Sequence, residues 1–500
     1  MAHKEVNHVI SRSSESFLFR NRQLIVSGCV ILIGSSFVSC TTRESEIPLS
    51  KNEFDVIVYG DTAGTAGFID GLANMGKKAA NLSVVVISPE PYSQAPLANG
   101  QSIEDMFEAD VDASGSYKRF RDEIIKYYAA KGINANSNGR LLYEPEAAAI
   151  ILAKMQDKNF VKKIVGELIS AGEEDGKKIA IVKLPDGQTV KITGNMMVLD
   201  TSPEADMARM LGASYRVGEL ETVYNDSLGK TPPFPTKKNE YSTSPEAMSS
   251  LFTLQVYDEL APKVTDMPEY DGSDYDPTKY KDINLKDFKK SWSMRYILPN
   301  NKRELNEYWS NYLNPENIYR FVFGTKEDRE EIYSFMVSEL MDKVRYLQEN
   351  GYPNIGIANI PQYPYVRGDV RIIGETNYTR NDINNSIKKD PVTRIEYNGW
   401  DEHNPVDGPQ NTQGCAYVYV PLGSMKVLSD QNVTDDIFVT AAVSSDKSAY
   451  DSAVRTEPVR MNLGEIAAFV ATAARKRNIR VKDVTWEMVF QIAREMGVKI

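Results

Sequence analysis

The sequence predicts an α/β fold: a parallel nucleotide-binding sheet interrupted by an inserted α+β region. Three observations carry this expectation. Residues 54–78, FDVIVYGDTAGTAGFIDGLANMGKK, have the order apolar strand, glycine loop, small-residue helix. From residue 52 onward strand and helix patterns alternate, as in βαβ units. Residues 225–290 and 351–415 break that alternation with Pro, Gly, Asn, Asp and Tyr.

The first unit sets the frame. Phe54 to Tyr59 is a short apolar strand, and Gly60, Gly64 and Gly67 punctuate the loop and helix after it. The helix runs on to Gly76. That order points free N–H groups of a helix N-terminus at a pyrophosphate. The loop departs from G-x-G-x-x-G, because Asp61 and Thr62 follow Gly60 and Thr65 stands at the third glycine position.

Val84 to Ile87 reads as the second strand. Tyr117 to Tyr128 and Glu144 to Met155 have helical spacing. Phe160 to Leu184 reads as paired strands that turn at Gly172 to Gly176. Asp186-Gly187 is a hairpin signal, followed by strands at Gln188 to Thr193 and Met196 to Leu199. Within the insertion, Leu251 to Tyr257 is a strand. Ile318 to Asn350 is helical, with an apolar face through Ile332, Met336, Leu340 and Val344. Tyr417 to Val420 and Ile437 to Ala441 are strands. Leu463 to Arg475 and Val484 to Met496 are helices, the last introduced by Thr485 as N-cap.

The N-terminus carries a separate message. Lys4, Arg12, Arg20 and Arg22 precede an apolar run from Leu24 to Val38. The run suits a signal-peptide core and is short for a membrane span. It ends in Phe37-Val38-Ser39-Cys40, which resembles a bacterial lipobox, so cleavage before Cys40 and lipidation of its thiol are expected. Residues 1–39 then form a lipoprotein-type signal peptide and 40–52 a tether, and the N-terminal lipid holds the protein to a bacterial membrane. Past residue 40 the only cysteine is Cys415, so no disulfide is expected. With 42% apolar residues, 25% charged residues and a net charge of −11, the chain is of globular composition and a poor partner for nucleic acid. One histidine past the leader, His403, leaves no metal-ligand set.

Seven blocks stand in series along the chain: FDVIVYGDTAGTAG, GSYKRFRDEIIKYY, YEPEAA, VLDTSPEADMARMLGASYRVG, LPNNKRELN, YVRGDVRIIGE and the closing DDIFVTAAVSSDKSAYDSAVRTEPVRMNLGEIAAFVATAA. In this series the chain resembles the bacterial FAD-dependent oxidoreductases with a glutathione-reductase-like flavin fold, in the subgroup common among exported proteins. The resemblance implies a Rossmann-like FAD-binding domain, discontinuous over residues 53–224 and 430–500. Residues 225–429 become an inserted substrate or cap region. It implies FAD as cofactor and a hydroxylated small molecule, such as a sugar or glycan fragment, as substrate.

Carried over position by position, the flavin contacts fall on Gly60, Thr62, Gly64, Thr65, Ser88, Asp200, Thr201, Ala441, Leu463 and Gly464. Several of these depart from the family pattern. Thr65 adds β-branched bulk beside the phosphates. Ser88 replaces the acid that accepts from the adenosine ribose. Thr440-Ala441-Ala442 replaces A-G-R. Leu463-Gly464 is expected near the N-terminus of the last domain helix, aimed at the flavin. These changes point to weaker phosphate binding, so a flavin-less glycan- or protein-binding lipoprotein stands as the alternative. The catalytic candidates are His403, read in a polar turn beside Trp400, Asp401 and Glu402, and Arg455, which suits a carbonyl or anionic oxygen. Ser448 stands at the family's histidine position. Lys302 is a further candidate to reach flavin or substrate, while Tyr363 and Tyr365 read as core or a carbohydrate surface.

Overall fold

Strand β1 (Glu53–Tyr59) is central to the sheet, and Val56, Ile57 and Val58 are fully buried within it. A parallel strand covered on both sides requires such an apolar run, buried on both faces. The computed structural model describes residues 52–106, 113–218, 222–235, 246, 248–291, 294–307, 314–368, 370–404, 408–428 and 435–500. Residues 51–500 form one unit. Helix α1 (Ala63–Met75) leaves β1 through Gly60, and β2 (Val84–Ser88) returns parallel to β1. Helices α2 (Gly115–Ala129) and α3 (Pro145–Gln156) lead to β3 (Val161–Val165), parallel to β2. A meander of β4 (Glu167–Glu174) and β5 (Lys177–Lys183) then runs antiparallel into β6 (Thr189–Asp200). The two short strands expected over residues 188–199 are this one strand, whose later half pairs parallel with β1.

Residues 250–359 contribute a smaller three-stranded sheet. Strand β7 (Ser250–Val256) lies between β8 (Lys302–Glu307) and β9 (Ile355–Asn359), antiparallel to both. Helices α4 (Pro315–Phe323) and α5 (Lys326–Glu349) meet at Thr325, which forms a reciprocal cap with Asp328 and explains the break in the expected single helix. Leu340, Val344 and Leu347 of α5 pack on Phe252, Leu254 and Leu305 as a second apolar core.

Residues 351–415, expected to be loop-rich, contain a long hairpin instead: β10 (Ile395–Asn404) pairs antiparallel with β11 (Gly408–Val418). Its polar sequence lacks the apolar alternation that announces a strand, and backbone pairing holds it. His403 therefore lies on a strand opposite Pro409, not in a polar turn. The side chains of residues 396–416, including His403, Trp400 and Cys415, lie outside the described residues. So do residues 1–51 with Cys40.

Strand β12 (Ile437–Val439) closes the sheet, parallel to the end of β6. Helix α6 (Glu457–Arg477) follows, and helix α7 (Trp486–Met496) is last. The N-terminus of α6 is at Glu457-Pro458, where proline suits the first turn. Leu463 and Gly464 thus sit well inside the helix, correcting the expectation that they form its N-terminus. Both are fully buried. No helix among the described residues is long and apolar enough to cross a membrane. Among the same residues no group of His, Cys, Asp or Glu has the makings of a metal site.

Candidate active site

Parallel pairing brings the C-terminal ends of β1, β2, β6 and β12 to one edge, where open α/β sheets place their ligands. Gly60, Ser88, Asp200 and Thr440 stand there in a row. Gly60 takes φ +94°, a turn that a side chain would strain, and a Cβ on it would lie 2.8 Å from Thr201 Oγ1. Thr65, whose branching suggested bulk against the phosphates, turns inward instead. Its hydroxyl is fully buried, donates to the Gly60 carbonyl at 2.7 Å and lies 2.8 Å from Thr201 Oγ1. Thr201 Oγ1 in turn donates to the Tyr59 carbonyl at 2.9 Å. Thr65 and Thr201 are therefore struts of the loop.

Thr62 is the N-cap of α1, yet its hydroxyl donates to the Thr201 carbonyl at 3.2 Å and leaves the first-turn N–H groups without a side-chain cap. Residues 60–65 are all buried. A buried, uncapped helix N-terminus calls for an external acceptor, and a pyrophosphate is one. Two residues beside this end carry a buried side-chain atom without a hydrogen-bond partner among the described residues: Thr440 through Oγ1, and Gln94, whose N–H bonds the Asp61 carbonyl, through Oε1. A Cβ on Gly64 would lie 2.2 Å from that Thr440 hydroxyl. These features fit FAD at Gly60, Thr62, Gly64 and Thr440. Ser88 contributes less: its hydroxyl donates to the Glu90 carbonyl at 2.6 Å. Ala441 is buried and brings no charge. The Asp200 carboxylate faces inward, accepting from Ser202 N at 2.9 Å and Ala208 N at 2.8 Å.

A layer of buried charged groups adjoins this edge. Glu204, four residues beyond β6, is 1% exposed, and its Oε1 has no hydrogen-bond partner among the described residues. Burial, reinforced by Asp206, pushes its carboxyl up to about 7, and Arg329 opposes the shift. The Tyr363 hydroxyl, which feels Glu204, is likewise buried without a partner among these residues. The sequence alone shows only an acidic pair at residues 204–206. The fold singles out Glu204, because Asp206 is bonded to Arg329 at 3.1 Å.

Arg455 is buried and bonded within the fold. It donates to Tyr365 OH at 2.7 Å and to the Asp451 carbonyl at 2.5 Å, and faces Glu246 at 3.5 Å. Tyr365 is pushed up to about 12 by burial, against the pull of Arg455. Arg460 holds Glu457 at 3.1 Å at the start of α6. Arg367 donates to Ser249 Oγ at 2.8 Å and Arg371 to the Gly218 carbonyl at 2.6 Å. Lys302 is bound to Glu144 at 2.6 Å and is not a free cation. Tyr363 and Tyr365 are buried, so they form no exposed carbohydrate surface.

The family model described as FAD dependent oxidoreductase matches residues 55–495. No curated protein sequence matches the chain. Solved structures with a similar course include p-nitrophenol 4-monooxygenase PnpA from Pseudomonas putida DLL-E4 (9% identity, 89% of this chain and 92% of that one, TM-score 0.38). Another is a flavoprotein/dehydrogenase from Cytophaga hutchinsonii (13% identity, 89% and 82%, TM-score 0.34). A third is the myxobacterial chondrochloren halogenase CndH (10% identity, 89% and 79%, TM-score 0.38). The family match spans both the glycine loop and the closing strand and helix. The chain belongs to the FAD dependent oxidoreductase family, a family of enzymes, and its cofactor is FAD.

Proposed function

We propose that this protein is an exported, lipid-anchored oxidoreductase that oxidises a hydroxylated small molecule such as a sugar or glycan fragment. Cys40 behind its apolar leader supports the anchor. In this reading residues 53–224 and 430–500 bind the cofactor and 225–429 present the substrate. The observation that supports the substrate class is a pair of buried polar atoms without hydrogen-bond partners among the described residues, Glu204 Oε1 and Tyr363 OH, which interact with each other. Buried polar atoms need partners, and a molecule rich in hydroxyls supplies donors and acceptors together.

FAD, when bound, supplies an acceptor for a hydride. The chain does the rest. The first turn of α1 holds the pyrophosphate through its N–H groups. Glu204 Oε1 takes the proton of the substrate hydroxyl, and a carboxyl held near neutrality by burial suits that task. Tyr363 OH orients the same oxygen. His403, read from the sequence as the base, is a second candidate for that proton.

The test is anaerobic titration of the yellow full-length protein with a panel of sugars and simple alcohols. Bleaching of the flavin band by a polyol, lost in Glu204→Gln with the flavin still bound, supports the reading. A protein that stays colourless after FAD is added would favour the flavin-less binding lipoprotein. Bleaching that needs His403 and not Glu204 moves the base to the hairpin.

A further inference from the structure

The family's acid at the end of β2 is Ser88 here, and its hydroxyl is engaged with Glu90. A carboxylate nevertheless stands on that side of the loop. Asp61 follows Gly60 and is 2% exposed. Its side chain reaches across toward β3, accepting from Gln156 Nε2 at 2.8 Å and contacting Lys163 Nζ. Lys163 is paired with Val86 of β2 in the sheet, so the carboxylate lies on the β2 side of β1, away from β6 and β12. In a doubly wound sheet that is the adenosine side of a dinucleotide. Gln94 joins it there: its N–H donates to the Asp61 carbonyl at 2.7 Å. Its own Oε1 is buried without a partner among the described residues.

We propose that Asp61 and Gln94 together replace the missing acid of β2 and hold the adenosine ribose of FAD. A carboxylate offers about four lone-pair directions. Gln156 and Lys163 occupy one on each oxygen, which fixes the group and leaves acceptors for two ribose hydroxyls. Lys163 also offsets a negative charge that would otherwise repel the pyrophosphate at the same helix end. Gln94 Oε1 gains the donor it lacks. The proposal rests on FAD as cofactor and reassigns only where its ribose is gripped.

The experiment compares two ligands on full-length protein freed of flavin. One is FAD, and the other is the FAD analogue whose adenosine ribose lacks its 2′- and 3′-hydroxyls. Binding is read by flavin fluorescence. Wild type should prefer FAD by about tenfold, the scale of a charge-assisted contact. Asp61→Asn should lose most of that preference while binding the analogue about as wild type does. Gln94→Leu, which removes the orphan acceptor without adding a polar group, should lower the preference by a smaller factor. No preference in wild type overturns the proposal. So does an equal preference in wild type and both variants, or a parallel loss of both ligands in Asp61→Asn, which marks a purely structural residue. A wild type that binds neither ligand overturns the cofactor assignment as well, so the two failures are distinguishable.

Discussion

Gly464 and Gly64 meet backbone to backbone: a Cβ on Gly464 would stand 2.0 Å from the Gly64 carbonyl oxygen. The contact continues down α1. A Cβ on Gly67 would lie 1.9 Å from the Met461 carbonyl oxygen, and one on Gly71 would lie 3.1 Å from the Glu465 Cα. These glycines let α6 lie against α1, so α6 fixes the position of the helix whose N-terminus receives the phosphates. Gly464→Ala is therefore expected to cost about 3 kcal/mol, the upper part of the overpacking range, and to weaken FAD binding with it. Chemical unfolding and a flavin titration check both. A fully stable variant with unchanged affinity would mean that the helices separate freely.

Glu465 links the same helix to α2. Its side chain is fully buried, accepts from Ser116 N at 2.7 Å and binds Arg119 at 2.6 Å. It thus serves as the N-terminal cap of α2, together with Asn462, which accepts from Tyr117 N at 3.1 Å. Glu465→Ala should cost about 3 kcal/mol, because it leaves Arg119 half-paired and an N–H uncapped. Arg119→Ala should cost less, since Arg119 is 29% exposed and solvent screens the charge. Equal losses from the two changes in urea unfolding would contradict this ranking.

Glu304 on β8 gives the fold a pH dependence. It accepts from Ser102 N at 2.6 Å, and burial pushes its carboxyl up to about 8. In the unfolded chain a glutamate titrates near about 4.3. Between those values the folded state holds the extra proton, so stability falls as pH rises. The contribution is whole below the unfolded value and is lost through the folded one. Glu204, at about 7, acts in the same direction. Stability should drop by a few kcal/mol between about pH 5 and pH 8.5, and Glu304→Gln should flatten most of that slope. A wild-type stability that rises across this range would refute the assignment.

The parts of the fold legible in the sequence are those with a local signal. The strand from Phe54 to Tyr59 has a continuous apolar run from Val56 to Tyr59, Gly60 marks its turn, and α5 shows its apolar face at helical spacing. The hairpin at 395–418 is not legible, because its strands are polar and held by backbone pairing across a register that no period reveals. Helix α6 begins earlier than the alanine-rich run from Leu463 suggests, although Pro458 carries the signal of a first turn. Most of the site lies beyond reach for another reason. Asp61 and Lys163 are 102 residues apart, and Ser102 and Glu304 are 202 apart. Only the folded sheet shows that Asp61 turns toward β3, or that Glu204 is left without the arginine that Asp206 takes.

Lys163 supplies the last prediction. Its ammonium lies against the Asp61 carboxylate, and Asp61 stands directly before the helix that receives the pyrophosphate. Lys163→Ala leaves that carboxylate with Gln156 as a neutral partner and its charge uncompensated. The negative charge then opposes the phosphates, and FAD affinity should fall by roughly tenfold, as for losing one charge-assisted contact. Because Lys163 is 39% exposed, the repulsion should be screened, so the deficit should shrink as salt rises. Adding Asp61→Asn to Lys163→Ala removes the repulsive charge and should recover part of the affinity for the FAD analogue without the 2′- and 3′-hydroxyls, which makes no use of the Asp61 acceptor. If Lys163→Ala instead weakened binding to the same degree at all salt concentrations and the double variant recovered nothing, Lys163 would act by holding the loop's shape and not by balancing its charge.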